Sequence, residues 1–112
     1  MALVMLLAKF SPEGTKAVVS EGGMVERRAV AERYVAAVGG KVVGYFACAD
    51  GEWDLVNISD LPETADQGAR TLAVLSASGA YSKLRLIRLC TPEEYDGADM
   101  SGMAAFRTPG QT

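Results

Sequence analysis

The sequence predicts an α+β domain of the ferredoxin-like type, with four strands and two helices in the order β-α-β-β-α-β. Two β-rich segments, residues 41–49 and 53–61, meet at Asp50-Gly51-Glu52 and predict a hairpin. The first strand is predicted at residues 2–10 and the last at residues 81–90. Helical patterns occupy the two intervals that separate these strands from the hairpin. The expected product is an antiparallel four-stranded sheet with both helices on one face.

The first strand and the helix after it are predicted from hydrophobic alternation and capping residues. Residues 2–10 are apolar on both faces, so this strand needs cover on both sides. Ser11 followed by Pro12 indicates a helix start, with Ser11 as the N-cap and Pro12 at the first helical position. Gly14, Gly22 and Gly23 argue against one long helix from that point.

Two further helices flank the hairpin. One is predicted over residues 24–38, ending at Gly39-Gly40, where a left-handed cap favours glycine. Its expected apolar stripe consists of Val30, Tyr34, Val35 and Val38. The other is opened by Pro62 and Glu63, begins at Thr64 or Ala65 and stops before Gly79.

The C-terminal part changes in composition. Thr91-Pro92-Glu93-Glu94 has the residues of a capping box and predicts a short helical turn. From Gly97 onward Gly, Met, Ala and Pro predominate without apolar periodicity. We therefore expect one domain over residues 1–96 and a flexible tail over residues 97–112, or an arm that orders on a partner.

Composition narrows the function classes. A chain of 112 residues with 49% apolar content fits one compact domain, and no apolar run reaches the length of a membrane-spanning helix. The net charge of −3 without a basic stripe argues against nucleic-acid binding.

Cys48 and Cys90 lie near strand ends, where we expect buried free thiols in a reducing cytoplasm. A disulfide or a reactive thiol is the alternative.

The chain contains no histidine, which excludes Ser-His-Asp and Cys-His nucleophile systems, a His-ligated haem and the usual His-containing zinc sites. The sequence also lacks the glycine patterns of dinucleotide and nucleotide phosphate loops. We therefore expect neither a metal nor a cofactor.

A few polar and aromatic residues remain as candidates for ligand binding on the sheet face away from the helices. They are Tyr45, Trp53, Asn57 and one of Arg85 and Arg88, which fall on opposite faces of the last strand, with Arg85 preferred. If Val56 and Ile58 face the helices, Trp53 and Asn57 face the opposite side. Asn57 either bonds a protein neighbour or orients a ligand, since a buried amide needs a partner.

The other candidate residues could instead have a purely structural role. Tyr45 and Trp53 are residue types that also serve in a core or a dimer interface. Asp54 is a candidate acid or base if desolvated, and otherwise a turn residue or half of an ion pair. The arginine of the last strand that faces the cavity either pairs with Asp54 or holds a carboxylate ligand.

Several of these segments resemble the GYD-domain family of small bacterial proteins. The resemblance is carried by Gly44-Tyr45-Phe46, Gly51-Glu52-Trp53-Asp54, Asp60-Leu61-Pro62-Glu63 and the segment from Leu89 to Glu94. It implies a dimeric α+β barrel, in which two sheets enclose a cavity, and it implies no particular reaction. Trp53 stands where the family name implies a tyrosine.

An apolar sheet face that the helices leave bare usually marks an interface or a pocket. We therefore expect a homodimer, or a higher oligomer, that acts as a small-molecule-binding or stress-associated module for a small apolar or aromatic ligand. The alternative is a cofactor-independent monooxygenase or isomerase acting on a small aromatic or quinone-like compound, which rests on fold analogy. A third hypothesis is a purely structural interaction protein whose arm contacts another chain.

Overall fold

The computed structural model describes residues 2–62 and 65–110. Within these two ranges, four strands and four helices follow one another, with a short 3₁₀ helix, Ser101–Ala105, near the end. The elements are β1 (Ala2–Phe10), α1 (Pro12–Ser20), α2 (Gly23–Ala37), β2 (Lys41–Ala47), β3 (Leu55–Leu61), α3 (Ala65–Ala77), β4 (Tyr81–Leu89) and α4 (Pro92–Asp96). The helix α3 begins at Ala65, one of its two predicted starts. The other predicted start, Thr64, lies outside the described residues, as do Glu63 and the last two residues of the predicted tail.

The strands form one sheet in the order β2-β3-β1-β4, and every neighbouring pair is antiparallel. This confirms the predicted α+β class and four-stranded antiparallel sheet, and the strand order is compatible with a ferredoxin-like fold. The hairpin differs in detail, because β2 ends at Ala47 and β3 begins at Leu55. Residues 48–54 therefore form a connecting loop, and Trp53 and Asp54 lie in that loop.

The predicted start of α1 is confirmed by its hydrogen bonds. The amide of Gly14 donates to Oγ of Ser11 at 3.0 Å, and Pro12 occupies the first helical position. The same hydroxyl donates to the carbonyl of Gly79 at 2.7 Å, while the Ser11 amide donates to the carbonyl of Ala80 at 2.9 Å. The cap thus ties the start of α1 to the beginning of β4.

The break between α1 and α2 is also confirmed. Gly22 and Gly23 both have positive φ angles, 101° and 73°, which end α1 and redirect the chain. The predicted stripe of α2 is only partly right: Ala31 and Val35 are buried, whereas Tyr34 and Val38 are exposed. The side of α2 that contacts the sheet is centred on the small residue Ala31. Tyr34 and Val38 lie to the side of this contact and face solvent.

All three long helices cover the same face of the sheet. Ala8, Phe10 and Leu55 form the buried cluster of that face, and Val18 and Met24 of α1 and α2 pack against it. Gly68 of α3 lies over Leu86, which pairs with Leu6 of β1 on the same face. The opposite face of the sheet, here called the open face, has no helix against it among the described residues.

The C-terminal segment projects from this domain. Thr91 and Glu94 form the predicted capping box of α4, with two hydrogen bonds of 3.0 Å. Every described residue from Cys90 to Gly110 is exposed. The Cα radius of gyration is 17.5 Å, whereas a compact chain of this length has about 13 Å. We call residues 91–110 the arm.

Both cysteines are free. Cys48 follows β2 and is half-buried, while Cys90 follows β4 and is exposed, so the expected burial is wrong for Cys90. Burial, followed by the carboxylates of Asp50 and Asp54, raises the pKa of the Cys48 thiol. The raised pKa disfavours the nucleophilic thiolate there.

Candidate functional site

The open face is apolar across its middle. Met5 lies at the centre and pairs with Ile58 of β3 and Ile87 of β4. In the next row Leu7 pairs with Val56, which pairs in turn with Phe46 of β2. The apolar side chains that the register places on this face are Leu3, Met5, Leu7, Phe46, Val56, Ile58, Ile87 and Leu89. Val43 lies at the irregularity of β2 between Val42 and Gly44, and because it follows the helix-facing Val42, alternation places it on the open face as well. Val43 and Phe46 are the most exposed of these residues.

Charged residues bound this patch at both ends of the strands. At one end Lys41 pairs with Asp60, which neighbours Leu3. At the other end Lys83 pairs with Lys9, and Arg85 lies beside Leu7. An apolar centre with a charged rim is the usual composition of a surface that contacts another molecule.

Trp53 and Asp54 lie at the second of these ends, in the loop between β2 and β3. Nζ of Lys83 lies 4.2 Å from the centroid of the Trp53 ring, within the range of a cation–π contact. The same ammonium lies 3.9 Å from a carboxylate oxygen of Glu52. Trp53 and Arg85 are thus on or beside the open face, as predicted, and Lys83 joins them.

Asp54 is held by both of its carboxylate oxygens. One accepts a hydrogen bond from the amide of Phe10 at 2.8 Å, and the other lies 3.4 Å from Nζ of Lys9. Lys9 also donates to the carbonyl of Gly51 at 2.7 Å. The ion-pair partner is therefore Lys9 rather than the predicted arginine of β4. Asp54 anchors the loop to β1, an arrangement typical of a structural carboxylate.

Asn57 lies on the face covered by the helices, so the predicted orientation of β3 is wrong. Asn57 pairs with Leu6 and Tyr45, alternates with the core residue Leu55, and is 6% exposed. Its Oδ1 accepts a 2.8 Å hydrogen bond from the hydroxyl of Ser59. The two polar side chains partner each other and can lie beneath the helices, which leaves the apolar Val56 and Ile58 to the open face.

Tyr45 also faces the helices and packs against the buried cluster of Ala8, Phe10 and Leu55. Burial raises the pKa of Tyr45 to about 12, and the positive charge of Arg27 offsets part of that rise. Arg88 faces the helix side beside Val4, so only Arg85 reaches the open face. The structure thus separates the four predicted ligand-binding residues into two pairs on opposite faces.

The sequence analysis did not identify Lys9 beside Asp54, Lys83 beside Trp53 or Arg27 near Tyr45. A signal existed for the lysines, since each alternates in step with the open-face residues of its strand. Asn57 and Ser59, two polar residues on one face of β3, favoured the opposite orientation of that strand, because polar strand faces are usually exposed. Nothing in the local sequence identified Arg27.

Two further observations concern membrane-spanning helices and metal sites. None of the helices there is both long and apolar enough to pass through a bilayer. Within residues 2–62 and 65–110, no group of three or more Cys, Asp or Glu side chains is arranged to hold a metal ion.

Comparison with known families agrees with the segments quoted above. The model of the GYD domain matches residues 4–98. The chain belongs to the GYD-domain family. The matched range covers the sheet except for the first two residues of β1, together with the three long helices and α4, and it ends two residues after α4. No curated protein and no solved structure matches the chain. The match therefore identifies the family, and the observations that bear on function come from the residues of this domain.

Proposed function

We propose that two copies of this GYD domain pack their open faces together, as a dimeric α+β barrel of ferredoxin-like subunits, and bind a small apolar or aromatic molecule between the sheets. The observation that carries the proposal is the apolar centre of the open face. It would expose a contiguous patch to water in a monomer, and such patches usually mark an interaction surface. A second copy offers a surface of identical chemistry, as a two-fold interface requires.

The size of the open face supports a dimer with help from the arm. Four strands spaced by about 4.8 Å, each with about seven paired residues, give a planar footprint of roughly 19 by 23 Å, or about 440 Å². A stable interface takes about 800 Å² of accessible surface from each partner. The relief of the side chains adds to this footprint, and the arm adds further area.

The arm has the composition of a segment that packs on another chain. Its large apolar residues are exposed, with Tyr95 at 74%. They are Tyr95, Met100, Met103 and Phe106. Aromatic and methionine side chains are enriched where proteins meet. We propose that the arm of one copy extends over the partner.

The ligand part of the proposal rests on the end of the open face where Trp53 and Arg85 lie. Trp53 offers an aromatic surface to a ring, and its contact with Lys83 fixes its position. Two such ends, one from each copy, would flank the space between the sheets. Tyr45 and Asn57 belong to the helix-covered side and have no part in this site.

Native mass spectrometry of freshly purified protein tests the proposal. We expect twice the chain mass of 11.8 kDa, with additional mass from a bound small molecule. Trp53→Ala should keep the dimer and lose that mass. A monomer at micromolar concentration would overturn the dimer, and a dimer that never carries a ligand from a lysate or an aromatic compound library would overturn the binding function.

A further inference from the structure

A cleft lies on the other side of the sheet, between α1, α2 and α3 and above the beginning of β4. The cleft has a volume of about 270 Å³. Phe10 and Tyr81 form one wall, with ring centroids 5.5 Å apart in a stacked arrangement. Val18 of α1 and Leu75 of α3 also line the cleft, so most of its wall is apolar.

Arg27 of α2 brings a positive charge into this apolar cleft. Its Nε is buried and has no hydrogen-bond partner. Glu21 also lines the cleft, but none of the ion pairs among the described residues includes Arg27. A buried guanidinium donor without an acceptor is costly, since the group has lost water and gained nothing in return. Arg27 is therefore poised for an acceptor from outside the chain.

The shape and charge of the cleft define the class of that acceptor. The volume is slightly below the roughly 300 Å³ at which pockets for drug-sized ligands begin, so the ligand is small. One guanidinium beside an exposed Glu21 favours a single negative charge over a phosphate. The planar fork of a guanidinium matches a carboxylate, and the aromatic pair matches a ring or a short alkyl chain.

We propose that this cleft binds a small amphipathic carboxylate, with its carboxylate on Arg27 and its apolar body against Phe10 and Tyr81. The site is separate from the open face and does not depend on the dimer. It also explains why an arginine occupies a half-buried position on the core-facing side of α2, where an apolar residue would otherwise serve.

Benzoate is the probe for the test, titrated into ¹⁵N-labelled protein while the Nε–Hε signal of Arg27 is followed by NMR. We expect saturable binding with a Kd in the high micromolar to low millimolar range, typical of so small a ligand. Benzyl alcohol, of similar size without charge, should bind at least about tenfold more weakly, because it cannot form the charge-assisted pair.

Two variants and a matched control make the result specific. Arg27→Gln should weaken benzoate binding at least about tenfold. Arg28→Gln changes the next residue of α2, which is exposed and outside this cleft, and should leave the Kd unchanged. Ala17→Phe fills the cleft from an exposed position of α1 and should also abolish binding, so it decides the matter if Arg27→Gln does not fold.

Three results would overturn the proposal. They are the absence of saturable binding up to about 10 mM benzoate, equal affinity in wild type and both cleft variants, and benzoate-induced shifts that cluster at Trp53 and Arg85 rather than around Arg27. The last would place the carboxylate on the open face instead.

Discussion

Two valines with nearly equal exposure on opposite sides of the domain provide a direct test of the dimer. Val43 lies on the open face and is 58% exposed, while Val74 lies on α3 and is 59% exposed. Val43→Asp would place a carboxylate in the proposed interface, whereas Val74→Asp would place one in solvent. Because residue type and exposure are matched, any difference in association reports the location alone.

The expected magnitude follows from burial. Full burial of a valine contributes about 1.5–3 kcal/mol, so covering the exposed 58% of Val43 contributes roughly 0.9–1.7 kcal/mol in each copy. Desolvating an unpaired carboxylate costs several kcal/mol more, and two-fold symmetry counts each effect twice. Even if edge solvation reduces the sum to about 3 kcal/mol, the dimer Kd should rise at least about 100-fold. Val74→Asp should change it by less than about threefold.

Sedimentation equilibrium over micromolar concentrations measures both values, and far-UV circular dichroism verifies that each variant is folded. If Val43→Asp associates as tightly as Val74→Asp, the open face is not the interface and the barrel proposal is refuted. If both variants weaken association equally, the interface includes the outer side of α3, and the sheet-on-sheet arrangement is again wrong.

Three further predictions concern stability. Gly14→Ala should lower the free energy of unfolding by about 3 kcal/mol, because a Cβ there would overlap backbone at the start of β4. In Gly68→Ala the new Cβ meets only a flexible leucine methyl at 3.3 Å, so the free energy of unfolding should stay within about 1 kcal/mol of wild type. Urea unfolding measures both variants, and equal values would contradict the close packing of α1. Asn57→Ala should lower the free energy of unfolding by about 2 kcal/mol and Ser59→Ala by about 1 kcal/mol, and the double variant should lose less than the sum of the two. Strict additivity in urea unfolding would show that the hydrogen bond between these side chains contributes nothing to stability. Burial raises the folded-state pKa of Tyr45 from its ordinary value of 10.0 to about 12. This contribution to stability is therefore fully present below pH 10 and is lost as pH rises from 10 to 12, so over that window Tyr45→Phe should lose about 1–2 kcal/mol less stability than wild type after allowance for solvent screening. Parallel pH profiles of the unfolding free energy would refute this.

The candidate residues show where local patterns stopped being informative. Period-2 alternation correctly placed Arg85 and Arg88 on opposite faces of β4, because alternation is a property of the strand alone. The same rule could not say which face of β3 meets the helices, since both faces offered a mixture of apolar and polar residues. The hydrogen bond from Ser59 to Asn57 made the more polar face the buried one.

The partner of Asp54 shows a different limit. Lys9 is 45 residues away in sequence, and its pairing with Asp54 exists only because the loop after β2 folds back beside the end of β1. The sequence supplied a correct residue type for an ion pair but not the neighbour. Arg27 likewise reads as one of several charges on α2 until three helices enclose it.

Local sequence patterns were sufficient to predict the order of the elements, the cap at Ser11, the break at Gly22-Gly23 and the membership of the GYD family. These features depend on hydrophobic period, capping chemistry and glycine conformations, all of which act over a few neighbouring residues. The folded structure was needed to show which face of β3 is buried, which lysine holds Asp54 and where Arg27 lies, because each depends on contacts between segments far apart in the chain.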